Sequence, residues 1–379
     1  MSGRATLDQF LLRACSPRVD EVASVPEAAW PDVWERAVRH KVANLVLARW
    51  GEVAPDLPDG GKSCRRVAAV QNLAMAARLL ELLDVFGAQK IAALPFKGAV
   101  LAETVFGGLG NRSFGDLDVL LPRADLARAC GLLVDLGYRP IGGVRLEDYL
   151  RITLRAGHHV CLQHERHRTL VELHWEMAGR YLPVALDFAT VRPFLERIEY
   201  RGREIWNLKP EIGLLYLCVH AAKEYWRILD HVVCVVWHME RRPPDWDALV
   251  GLARQWGGTN ILLVGLGLAE ALFAVTPPER IRRMVNDVPA VQRLVSRQSQ
   301  RVFDNDRLMT LRLGNLPEFL RMHWTQLGDA HHFVRWMARR LTTPAVEDLE
   351  PGSAEAGSPG WKSALAPVEA VRRLFRGQG

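Results

Sequence analysis

The chain has 379 residues, 49% hydrophobic and 24% charged, an ordinary globular balance that excludes a disordered or collagen-like polymer and leaves room for two domains or one large core. Its formal charge of +6 at pH 7 comes mostly from arginine, which permits a nucleotide or nucleic-acid partner without requiring one. The six cysteines are scattered singly, with no C-x-x-C pair, so a disulfide framework is not expected.

The opening MSGRATLDQF has no apolar signal-peptide core, and an uncleaved, cytoplasmic protein is expected. Apolar positions recur at three-to-four spacing through Trp30–Trp50 and Val67–Phe86, predicting an N-terminal helical region over residues 1–90. Residues 91–205 then read as short alternating elements. An apolar run, Ile91–Phe96, is followed by a helix-like stretch from Ala99, a bend at Gly107, Gly108 and Gly110, and a strand over Asp116–Leu121. A helix is expected over Arg123–Leu136 with Gly137 as its cap. His159–His164 and Thr169–Trp175 flank the polar Glu165–Arg168 and predict a β-hairpin.

Residues 206–341 read as a helical domain whose longest periodic stretch is GLLYLCVHAAKEYWRILDHVVCVVWHM. The most apolar segment, Ile261–Val275, is too short to span a bilayer and carries Glu270, so it is expected to be a buried helix and no membrane partner is expected. Residues 342–379 are rich in Pro, Gly, Ser and Glu at their start and predict a linker with a C-terminal tail.

The chemistry concentrates in RSFGDLDVLL. Side chains alternate along a strand, so Asp116 and Asp118 share one face while Leu117 and Val119 take the other. Two carboxylates converging on one point repel unless a cation neutralises them, and hard oxygen donors suit Mg²⁺ bridging phosphates. In TLVELHWEM, Glu172 and His174 share a face in the same way, and this strand is expected to pair beside the aspartate strand. Three carboxylates on adjacent strands can hold two ions for in-line phosphoryl displacement. The plainer readings are a solvated aspartate pair, an edge-strand charge at Glu172 and a structural histidine at 174.

Lys97 and Gly98 stand between an apolar run and a predicted helix, an arrangement able to cradle phosphate, or a plain turn bearing a surface lysine. Arg112 is either a triphosphate or acceptor contact or a surface residue capping its loop. The glycine cluster completes neither G-x-G-x-x-G nor a P-loop, so the Rossmann and Walker readings are discarded. His220, Lys223, Arg227 and Asp230 recur at helical spacing and are expected on one helix face, lining a substrate cleft or forming a solvated stripe with an Arg227–Asp230 pair. Cys161, His164 and His167, beside His158 and His159, raise a zinc alternative, but residues three apart on a strand face opposite sides and converge poorly.

The order LPFKGAVL, RSFGDLDVLL, a helix ending LGY, then VELHW resembles a poorly characterised bacterial nucleotidyltransferase family of the DNA polymerase β-like superfamily, over roughly residues 30–250, with a weaker echo in PVEAVRRLF. The resemblance implies an α+β fold: a polymerase β-like core, a small mixed sheet with helices, flanked by helical N-terminal and C-terminal regions. It implies two Mg²⁺ ions on Asp116, Asp118 and Glu172, and a nucleoside triphosphate such as ATP at Lys97–Gly98. It also extends to His220 and Asp230. Lys-Gly stands where the superfamily usually has Gly-Ser, and Glu172 where relatives often carry aspartate. The expected reaction is transfer of a nucleoside monophosphate to a hydroxyl or phosphate of a small molecule, sugar or peptide, with Glu172 a candidate proton acceptor. The alternatives are a toxin-type nucleotidyltransferase acting on RNA or protein, which shares a KG…R…DxD layout, and an inactive scaffold. No basic run interleaved with aromatics supports a nucleic-acid channel.

Overall fold

The computed structural model describes residues 3–18, 26–50, 61–179, 182–184, 186–303 and 316–342. The linker and tail read from composition at 343–379 lie outside the described residues. Four helices come first: α1 (Gly3–Cys15), α2 (Trp30–Arg39), α3 (Ala43–Trp50) and α4 (Gly61–Ala88). The mixed segment follows with β1 (Leu94–Pro95), α5 (Gly98–Thr104), β2 (Asp116–Leu120), α6 (Leu126–Asp135), β3 (Tyr138–Pro140), α7 (Leu146–Ala156), β4 (His159–His164) and β5 (Leu170–His174). After α8 (Phe188–Val191) comes a separate hairpin of β6 (Leu195–Tyr200) and β7 (Arg203–Leu208). The remainder is helical: α9 (Pro210–Lys223), α10 (Leu229–Arg241), α11 (Trp246–Gln255), α12 (Thr259–Phe273), α13 (Glu279–Asn286), α14 (Pro289–Arg301), α15 (Leu316–Leu327) and α16 (Ala330–Thr342).

The five-stranded sheet runs β1-β2-β5-β4-β3, with β2 and β5 parallel and the other neighbours antiparallel. The fold is α+β, a small mixed sheet with helices. Asp118 pairs with Glu172 across β2 and β5, and Cys161 and His159 pair with Glu172 and His174 across β4 and β5. Alternation then sorts the side chains. Leu117, Val119, Val160, Leu162, Val171 and Leu173 are each no more than 2% exposed and close a core with Leu82 and Phe86 of α4 and Ala129 and Leu133 of α6. Burial of such a side chain contributes about 1.5–3 kcal/mol.

A second core joins α9–α14 to α1–α3, fastened in part by Trp237 Nε1 donating to the Cys15 carbonyl at 2.8 Å. The first three helices therefore pack with the C-terminal ones, whereas α4 lies on the sheet. Local signals agree with the ends of several elements. Asp245 caps α11 by accepting from the amides of Asp247 and Ala248, and Pro210 opens α9, where no amide partner is needed.

The long periodic stretch of the helical region is two helices rather than one. Alpha-helix α9 stops at Lys223, Tyr225 and Trp226 take φ of +60° and +55°, and α10 starts at Leu229. Trp226 is 1% exposed and Leu229 fully buried in one core, so apolar periodicity runs through a bend that only the backbone dihedrals reveal. Among the described residues, no helix is long and apolar enough to cross a membrane.

Candidate functional site

The polar face of β2, β5 and β4 looks away from α4 and α6. At its centre Asp118 has a fully buried side chain, with Lys97 Nζ 3.3 Å from Oδ1. His174 Nε2 stands between two carboxylates, 3.2 Å from Asp118 Oδ1 and 3.1 Å from Glu172 Oε2. The rings of Phe96 and Tyr216 wall this region: Phe96 meets His174 edge-on at 5.1 Å and Tyr216 at 5.2 Å.

The electrostatics are mutually supporting. Burial opposes the charge on Asp118, but Lys97 and the hydrogen bond from His174 outweigh it and hold the carboxyl well below its usual range. Glu172 is lowered in spite of its burial, first by the His174 hydrogen bond and then by His159. Burial alone would lower His174, and hydrogen bonds to Asp118 and Glu172 raise it instead. Asp116 lies one pleat along on the same face, and its carboxyl is pushed up by burial and by the Asp118 charge.

One atom stays unanswered. Asp118 Oδ2 is buried with no hydrogen-bond partner among the described residues, an arrangement that costs about 1–3 kcal/mol unless something fills it. Asp118, Glu172 and His174 each offer a donor atom within 4.8 Å of the others. An orphaned carboxylate oxygen beside a second carboxylate fits a hard divalent cation such as Mg²⁺.

Gly98 determines how Lys97 is aimed. Its φ is +51°, and a Cβ there would lie 3.2 Å from the Asp116 carbonyl oxygen and 3.7 Å from the Phe114 ring, so a side chain at this turn would be strained and crowded against β2. Arg112 is largely buried, not a surface cap: its Nη2 lies 3.2 Å from Asp230 Oδ2, and side-chain exposures are 10% and 11%. Asn72 fixes the loop by donating to the carbonyls of Leu109 and Arg112 at 2.7 and 2.9 Å.

The single helix face expected for His220, Lys223, Arg227 and Asp230 does not exist, because α9 ends at Lys223, Arg227 lies in the bend and Asp230 belongs to α10. Arg227 pairs with Glu224 at 2.8 Å, leaving Asp230 to Arg112. His220 still reaches the site: burial keeps it neutral, assisted by the charge of Lys97, and its ring lies 6.0 Å from that of Tyr216. Lys223 Nζ lies 3.9 Å from Glu224 Oε1. Since β5 is the third of five strands, Glu172 is not an edge-strand charge.

Two residues named only in the zinc alternative also face Glu172. Cys161 Sγ lies 3.7 Å from Glu172 Oε1, and His159 Nε2 lies 4.0 Å from Oε2. The period-two spacing of His159 and Cys161 was the available signal. His164 and His167 instead stack on each other, centroids 3.5 Å apart, beside Tyr138. The zinc set Cys161, His164 and His167 therefore fails to converge, as the strand geometry predicts. A separate cavity of about 880 Å³, lined by Arg123, Trp175, Phe188 and Trp206 among others, includes none of the clustered carboxylates.

Among known proteins, the model of a family described as an uncharacterised nucleotidyltransferase matches residues 26–274, well over half of the chain. No curated protein and no solved structure gives a significant match.

Proposed function

The chain belongs to this uncharacterised nucleotidyltransferase family, and from that premise we propose that it uses Mg²⁺ to move a nucleoside monophosphate from a nucleoside triphosphate to a hydroxyl or phosphate, releasing pyrophosphate. The observation that carries this reading is the pairing of Asp118 with Glu172 across parallel strands, with Asp118 Oδ2 buried and unpartnered. Asp116, Asp118 and Glu172 are the residues that would hold the ions. Bound there, Mg²⁺ would neutralise developing charge on the phosphate oxygens and orient the attacking and leaving oxygens.

The chain's own groups perform the rest. His174 holds Asp118 and Glu172 in one orientation by donating between them. Lys97 supplies a positive charge beside the same carboxylates, and Gly98 lets its turn approach β2 closely enough to serve a triphosphate. Phe96 and Tyr216 exclude water from one side, which strengthens every charge interaction inside. A carboxyl held below its usual range is a poor proton acceptor at neutral pH, so Glu172 is assigned to ligation rather than to deprotonating the acceptor. Arg112 is a positioning residue, tying the loop before β2 to α10 through Asp230. A small molecule, sugar or peptide is the proposed acceptor, since the sequence carries no basic run interleaved with aromatics.

The test is pyrophosphate release from each of the four nucleoside triphosphates with Mg²⁺, over a panel of small-molecule hydroxyl acceptors and peptides, for the wild type and Asp118→Asn. Mg²⁺-dependent release that Asp118→Asn abolishes is the expected result. Release that persists in Asp118→Asn would remove the proposed centre.

A further inference from the structure

The polar face carries a second donor set, softer than the aspartates and joined to them through Glu172. On β4, His159 and Cys161 are two residues apart on the same side of the strand, and across the ladder they face His174 and Glu172. His159, Cys161 and Glu172 each present a donor atom within 4.8 Å of the other two. Tetrahedral zinc, with bonds of about 2.0–2.3 Å, requires donor atoms roughly 3.3–3.8 Å apart. Cys161 Sγ lies 3.7 Å from Glu172 Oε1 and His159 Nε2 4.0 Å from Oε2 of the same carboxylate, near that range.

We propose that His159, Cys161 and Glu172 form a zinc site beside the carboxylate centre, with the fourth position open to water or to a ligand oxygen.

Three observations agree. The donor set of imidazole, thiolate and carboxylate suits Zn²⁺ and not Mg²⁺, which avoids sulfur. The His159 ring stacks on that of His174, centroids 4.9 Å apart, with Nε2 toward the Glu172 carboxylate, so its donor atom is aimed at the site. His159 Nδ1 is buried with no hydrogen-bond partner among the described residues, so the imidazole is not committed elsewhere. The Cys161 thiol carries its proton when no metal is bound. Coordination forms the zinc–sulfur bond and releases that proton to solvent. Glu172 turns Oε1 toward Cys161 and Oε2 toward His174 and His159, so one carboxylate stands between both donor sets.

This inference does not rest on nucleotidyl transfer, and its test needs no turnover. The full chain, freed of metal by chelation, is titrated with Co²⁺ as a spectroscopic substitute for zinc. The wild type is expected to show a near-ultraviolet thiolate-to-cobalt charge-transfer band, saturating at one ion and removed by equimolar Zn²⁺ but not by excess Mg²⁺. In Cys161→Ser the band should vanish. In His159→Gln it should persist with affinity lowered by at least about 10–100-fold, the loss already usual for an outer-shell partner. The two variants change different strand positions, so misfolding of one, seen by circular dichroism, leaves the other to decide. Absence of the band in the wild type, its survival in Cys161→Ser, or unchanged affinity in His159→Gln would overturn the site. A chain that binds Co²⁺ as described yet releases no pyrophosphate would retain zinc and lose the catalytic reading.

Discussion

The two faces of the central sheet are built from alternate residues of the same three strands, yet they do opposite work. On one side Leu117, Val119, Val171, Leu173, Val160 and Leu162 disappear into a core with α4 and α6, and their contribution is non-directional burial. On the other side Asp118, Glu172, His174, His159 and Cys161 place charges and donors within a few ångströms, an arrangement that burial penalises and mutual pairing must offset. The apolar face fixes the register, and because the period is two, the same register fixes which donors meet. Stability and chemistry are thus separable by mutation even at adjacent positions.

The largest expected contrast is in activity. Asp118→Asn should lower nucleotidyl transfer by about 10²–10³-fold or more while the chain still melts cooperatively, as read by pyrophosphate release alongside circular dichroism. A variant that unfolds outright would mean that the polar face is structural. Next in size, Leu173→Ala on the opposite face should cost about 2–5 kcal/mol in denaturant unfolding, because the side chain is fully buried. A cost below about 1 kcal/mol would break the division of labour.

The third prediction concerns pH in the metal-free protein. His174 is raised by its carboxylate partners, so its stabilising contribution is fully present below about 6.5 and is lost as pH rises through the higher folded value. Asp118 and Glu172 are lowered, so theirs is present above about 4.3 and is lost as pH falls through the folded values. Urea midpoints should therefore decline on both sides of that interval, and His174→Gln should flatten the alkaline limb and also weaken the acid one, because its hydrogen bond helps to lower both carboxyls. An alkaline limb unchanged in this variant would contradict the pairing. The smallest effect is at the turn: Gly98→Ala forces an L-residue to φ +51° against the Asp116 carbonyl and should cost about 1–2 kcal/mol, measured by the same titration.

Much of the site is legible in the sequence because strand periodicity is short and local. D-x-D and E-x-H each place their members on one face, and the apolar residues between them state which face is buried. The Lys97–Gly98 turn is likewise written locally. What depends on distant pairing is not legible. Arg112 meets Asp230 only after the chain has built the whole sheet and α9, and no spacing announces that contact. The bend at Tyr225 and Trp226 is hidden because both helices it joins bury apolar residues in one core, so the pattern continues while the backbone turns. His159 and Cys161 carry the right period, but their meeting with Glu172 requires the hairpin register, which the polar Glu165–Arg168 loop does not specify.

The most direct test of the central claim is thermal unfolding of the purified chain with and without Mg²⁺, across ATP, CTP, GTP and UTP, for the wild type and the Asp116→Ala, Asp118→Ala double variant. A ligand that binds only the folded state must raise the midpoint. The account predicts a Mg²⁺-dependent rise with at least one nucleotide that vanishes in the double variant. No rise with any nucleotide, or one that survives loss of both aspartates, would contradict it.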